Sequence, residues 1–169
     1  MSISRAPDRL PDDFAAAIGH AVAGFGFLEE ALKRAIYALT RDNLGETPTE
    51  EQIQRWLARM SDVADDTLGT LIEQFLAALP DRKTRLALQD PLAAIRRNRN
   101  LLCHASWWPS DQPGVWQPRF LNTKGEKWPS TLSVAEIGAI HDDTLAVAAR
   151  IVAIMRQTGI AGEWPGIDG

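Results

Sequence analysis

The chain of 169 residues holds a single cysteine, Cys103, so it can form no internal disulfide and no cysteine-based zinc cluster of its own. It also lacks any apolar run near the roughly 18 residues of a membrane span. Its opening, MSISRAPDRLPDD, has no apolar core of the kind a signal peptide needs, so a cytoplasmic protein without membrane attachment is expected. A basic excess is missing too: the formal net charge is −4, a poor footprint for a non-specific nucleic-acid binder. Gly24-Phe25-Gly26 lies inside a helical pattern and matches no phosphate-cradling fingerprint. Repeats and low-complexity tracts are absent. What remains is ordinary globular composition, 45% hydrophobic and 24% charged. One domain over 1–169 with a real core follows, loose at 1–12 and 160–169 unless Trp164 docks.

Taken in order, apolar residues at Phe14, Ile18, Val22, Phe25, Leu32, Ile36 and Leu39 predict a long helix over about Asp13–Arg41, with Asp12 or Asp13 as N-cap. Gly19, Gly24 and Gly26 weaken it and permit close packing or a kink. Glu29 falls at the centre of that apolar face. After a loop at Asn43–Pro48, Thr49 and Gln52 form a capping box. Ile53, Trp56, Leu57 and Met60 then give an apolar side, and the pattern resumes from Val63 to Leu79. Ser61-Asp62 either breaks this stretch or bends it, leaving one helix or two. A further helix over about Leu86–Ser106 carries Leu88, Leu92, Ile95 and Leu102 on one face and stops at Trp107-Trp108-Pro109. Residues 109–131 hold four prolines and two glycines. The runs Val115-Trp116-Gln117 and Arg119-Phe120-Leu121, with the turn-rich Asn122–Lys127, leave room there for an irregular hairpin. Ser133 and Glu136 form a second capping box before the last helix, whose stripe is Ile137, Ile140, Leu145, Ala148, Ile151, Val152 and Met155. The fold class is therefore all-α: a four- or five-helix bundle with a proline-rich insertion before the final helix.

The chemistry concentrates in the helix before that insertion. Arg82, Lys83, Arg85, Arg96, Arg97 and Arg99 face only Asp90 between positions 82 and 99, so one third of the 18 basic residues lie within one segment. A solvated helix face would explain this much. Within it stands Arg99-Asn100-Leu101-Leu102-Cys103-His104. At about 100° per residue, Asn100 and His104 share a face with Arg97 close behind, and Arg99 points about 140° away from His104. Arg99 also fills a position of the apolar stripe where leucine would be more favourable. An unpaired buried charge is strongly disfavoured, so Arg99 is expected to pair with Glu29, the charge in the other stripe.

The hexapeptide resembles the R-x4-6-H motif of the HEPN superfamily, in the R-N-x-x-x-H form carried by its metal-independent endoribonucleases, many of them toxins or antiviral effectors. The resemblance implies cleavage of RNA by its 2′-hydroxyl, without metal or cofactor, at a composite cleft of a homodimer, and an antitoxin protein as a further partner. In that reaction His104 would act as general base or acid. Arg99 would neutralise charge developing on the phosphate, and Asn100 would hold the imidazole or the phosphate. Arg96 and Arg97 would draw in the RNA backbone, with Trp107 and Trp108 available to stack on bases. The divergence of Arg99 and His104 on one helix suits a twofold dimer that builds each site from both chains.

Two alternatives accompany this reading. A non-catalytic module of the same fold would bind nucleotide or RNA through the basic helix, and a dimeric helical interaction protein would use the motif structurally, with His104 favoured by the helix dipole. Trp107 and Trp108 more often pack a loop against a bundle. A Cys103 nucleophile has no supporting partner, and His20, His141, Asp142 and Asp143 share no helical face for a metal.

Overall fold

The computed structural model describes residues 9–119 and 131–159. Among these, five helices carry the fold: α1 (Asp12–Asp42), α2 (Glu50–Ala64), α3 (Leu68–Ala78), α4 (Arg82–His104) and α5 (Val134–Arg156). Between α4 and α5 lie β1 (Ser106–Pro109), β2 (Val115–Arg119) and β3 (Leu132–Ser133), an antiparallel sheet in the order β1-β2-β3. The expected mostly helical bundle is the architecture found.

α1 forms the spine. Ala21, Leu28, Leu32, Ala35 and Ile36 are fully buried. Small residues let α5 approach closely: a Cβ added to Gly24 would lie 2.9 Å from His141 Nδ1. Nothing lies within 4 Å of the equivalent positions at Gly19 and Gly26. Phe14 contacts Trp116, which pairs with Leu132 just before α5, while Gly24 and His20 lie beside His141. α1 and α5 therefore run in the same direction, and the sheet links the end of α4 to the start of α5 at the Phe14 end of α1. α3 and α4 cover another side of α1 through Leu71, Phe75, Leu88 and Leu92, all buried.

Local chemistry places the helix ends. Thr49 with Gln52 and Ser133 with Glu136 each close a full capping box. The stretch from 50 to 79 is two helices. α2 runs through Ser61-Asp62 to Ala64, and α3 restarts from Thr67, whose hydroxyl accepts from Thr70 N–H. Asp66, in the break, accepts a 2.6 Å hydrogen bond from Gln74 Nε2. α4 begins at Arg82, earlier than the apolar pattern indicates, because Asp81 caps Lys83 and Thr84. It continues across Pro91 and stops at His104, before Ser106.

Other expectations are corrected. The residue before α1 is Pro11, with no side-chain cap; Asp12 and Asp13 lie in the first turn, where carboxylates suit the positive helix end. In the described part of the opening segment Leu10 packs against the core and Arg9 pairs with Asp12 at 2.8 Å on the surface. Val22 is 41% exposed and Leu145 38%, because the buried faces are phased around Ala21–Leu28–Leu32 and Thr144–Ala148–Ile151. Leu57 is exposed as well. The hairpin joins Ser106–Pro109 to Val115–Arg119, so Trp107-Trp108-Pro109 is a strand as well as a helix stop. Gly114 provides the positive φ of 76° its turn needs. Pro118 lies beyond the two positions that β3 pairs, so among the described residues only one edge of the strand is laddered there. Phe120–Leu121, the Asn122–Lys127 turn, 1–8 and the 160–169 tail with Trp164 lie outside the described residues.

Two outcomes follow. Gly24→Val should lower stability by about 1–3 kcal/mol through overpacking against His141, whereas Gly26→Ala should leave it level or slightly raised; urea unfolding distinguishes them. Hydrogen bonds from the Ser133 hydroxyl and then its N–H hold the Glu136 carboxyl below its ordinary 4.5. A lowered folded value means this contribution is present above that ordinary value and is lost as pH falls through the folded one. Glu136→Gln should therefore flatten part of the acid limb of a melting-temperature profile and leave the limb above neutrality unchanged.

Candidate functional site

The motif occupies the last two turns of α4. Leu88, Leu92, Ile95 and Leu102 face the core, as their spacing requires. Leu101 is buried too, at 1% exposure, and belongs to the hydrophobic core. Since α4 is continuous through His104, the angular relations hold: Arg97 and His104 are exposed and Asn100 is half-buried on the side away from the core. Arg99 lies at the core's edge, half-buried.

Arg99 meets Glu29. Its Nη2 stands 4.0 Å from Glu29 Oε1, an ion pair longer than a hydrogen bond, and the side chains are 35% and 30% exposed. Glu29 is not at the centre of the α1 core face. It shares the flank with Val22, one heptad earlier, so both charges keep access to solvent and the pair is weakly held. Arg99 can thus leave Glu29 for an incoming anion at little cost.

The two tryptophans separate. Trp107 is buried at 8% exposure and packs edge-on to Phe14, with centroids 5.2 Å apart, so it anchors the sheet to α1 and is unsuited to base stacking. Trp108 is half-buried and carries the Arg119 guanidinium 4.3 Å from its ring centroid, which occupies one face of the ring. Arg96 is exposed, but its stem leans across α3, since a Cβ on Gly69 would lie 3.5 Å from Arg96 Cδ. Arg97 is the cation that shares the face of Asn100 and His104.

Arg119 is the residue that sequence reasoning missed. β2 pairs it with Ser106, two residues beyond His104, so it adds a second cation beside the end of the motif helix. No local pattern marks it; the signal would have been strand register. Cys103 is exposed next to His104 but turned about 100° from it. His20 and His141 approach with ring centroids 6.2 Å apart, and no group of three or more His, Cys, Asp or Glu suited to a metal occurs among the described residues. A cleft of about 350 Å³ between α4 and α5 involves Pro91, Ile95, Asn98, Asp143 and Arg150. It opens on a different flank of α4, about 120° from His104.

No helix among the described residues is long and apolar enough to cross a membrane. Comparison with protein-family models, curated proteins and solved structures finds no match to this chain.

The geometry separates anchoring from chemistry. Trp107→Ala should destabilise by about 3–5 kcal/mol, as a buried aromatic does, while Glu29→Gln should change stability by less than about 1 kcal/mol because its pair is half-exposed and long. Denaturant unfolding of both variants measures the contrast.

Proposed function

We propose that this chain is an endoribonuclease of the HEPN type, cleaving RNA without a metal in a homodimer and serving as a toxin or antiviral effector. The observation that carries the reading is the joint placement of Asn100, His104 and Arg97 on the open side of the α4 terminus, with Arg99 on its flank in a weak, exchangeable ion pair.

In the reaction, His104 takes the proton of the 2′-hydroxyl, whose oxygen attacks the adjacent phosphorus as the bond to the 5′-oxygen breaks. The leaving oxygen receives a proton, and the products are a 2′,3′-cyclic phosphate and a 5′-hydroxyl end. Arg99 neutralises charge on the phosphoryl oxygens, a task that fits its planar fork of donors. Asn100, one turn before His104, orients the imidazole or the phosphate. Arg97 and Arg119 hold the flanking backbone.

A divergence of about 140° makes it awkward for one regular helix to aim Arg99 and His104 at one phosphate. A twofold axis near this turn brings Arg99 of one chain toward His104 of the other. RNA is then the substrate, a second copy completes the site, and an antitoxin is the partner that would silence it. A second reading, a binding or interaction module of the same shape, draws on the Arg99–Glu29 pair and the net charge of −4.

RNA cleavage in EDTA tests the proposal. Wild type should yield cyclic-phosphate ends; His104→Ala should lose about 10²–10⁴-fold in rate and Arg99→Ala about 10²–10³-fold, both with wild-type circular dichroism. Mixing the two variants should restore activity, because a mixed dimer holds one site with both groups. Inactive, well-folded wild type across an RNA pool would move the assignment to the binding module, and activity without recovery on mixing would place the whole site within one chain.

A further inference from the structure

A second cleft, shallow and open to solvent, lies at the opposite end of α1 from the sheet. It has a volume of about 420 Å³, within the range of small-ligand sites, and is lined by Asn43, Leu44, Gln52, Arg55, Trp56 and Arg59 together with Thr40. Two guanidinium groups line it and no carboxylate does. Arg55 and Arg59 are four residues apart on α2 and so share one face. Arg55 pairs with Glu51 at 3.6 Å, but both side chains are more than 70% exposed, a bond that water or a ligand readily replaces. Arg59 has no acidic partner among the described residues.

The other groups around the cleft are already committed in a way that leaves donors facing it. Gln52 Oε1 accepts from Thr49 N–H at 2.8 Å in the capping box, so the amide NH2 of Gln52 remains to donate. Trp56 donates its Nε1–H to Thr40 Oγ1 at 3.0 Å and packs at a tilt against Tyr37 with centroids 4.6 Å apart, fixing the indole as an apolar wall beside Leu44. The result is a fork of cations and amide donors over an apolar floor. Paired guanidinium groups match the oxygens of a phosphate, and the floor suits the organic part of the same molecule.

We propose that this cleft binds a small phosphate monoester of mononucleotide size, with Arg55 and Arg59 on the phosphate and Gln52 and Asn43 on polar edges of the organic group. The site is separate from the α4 motif: Thr40 lies eleven residues beyond Glu29 on α1, about 16 Å along the helix. The proposal therefore stands whether or not the chain cleaves RNA.

Calorimetric titration with adenosine monophosphate, with inorganic phosphate and with a short 5′-hydroxyl oligoribonucleotide tests it. The monophosphate should bind with a dissociation constant of about 1 mM or below, more tightly than inorganic phosphate. The Arg55→Ala/Arg59→Ala double variant should weaken it by about tenfold or more, with unchanged circular dichroism and melting temperature because both side chains are exposed. His104→Ala should leave it unaltered. Failure of the oligoribonucleotide, whose internucleotide phosphates are diesters, to displace the monophosphate is the expected result, and displacement would overturn the monoester assignment. Absence of monophosphate binding at about 10 mM, or binding indifferent to the double variant, would overturn the proposal.

Discussion

The structure depends on the close approach of α1 and α5. Alanine and glycine along α1, notably Ala21, Gly24, Ala31 and Ala35, let the two backbones come together over a long seam. α5 starts at the same end of the bundle as α1, where α4 ends, and the sheet joins α4 to α5 there, with Trp107 and Trp116 pinning it to Phe14 near the start of α1. The proline-rich insertion is therefore a structural part of the bundle, and its strands set what surrounds the end of α4.

That arrangement explains how a reactive-looking terminus is held. Leu101 and Leu102 fasten the last turn from inside, β1 leaves directly from Ala105, and the opposite side of the helix keeps Asn100 and His104 toward solvent. Arg99 occupies the boundary between the two. It is neither sealed in the core nor fully hydrated, and its long contact with Glu29 holds the guanidinium in place without trapping it. A cation of this kind can serve an anion that arrives from outside, which a tightly bonded buried pair could not. The cationic character is local, concentrated at two places on a chain that is acidic as a whole.

The two places differ in how they are built. At the α4 terminus the groups come from one helix and one strand, and their divergence around the helix leaves the site open on the side where a second chain would sit. The cleft at α2 is made within one chain from a helix, a loop and the end of α1, and its wall is immobilised by the Trp56–Thr40 hydrogen bond.

By itself the sequence determined what depends on neighbours along the chain. The capping boxes at Thr49 and Ser133 were legible because an N-cap and its N3 residue lie three positions apart, and the α4 stripe because a 3.6-residue period exposes one face. The cluster Arg97, Asn100 and His104 was legible for the same reason. Tertiary structure alone decided the rest. Phase along α1 was set by where α5 packs, which moved Val22 and Glu29 from the expected core centre to its flank. The break at Asp65–Thr67 was obscured because Leu68, Leu71 and Ile72 continue the apolar pattern beyond it. Strand register put Arg119 beside Ser106, packing against Phe14 made Trp107 an anchor, and Leu101 joined the core. Helical periodicity reports which residues share a face; which face is covered, and by what, depends on contacts between segments far apart in the chain.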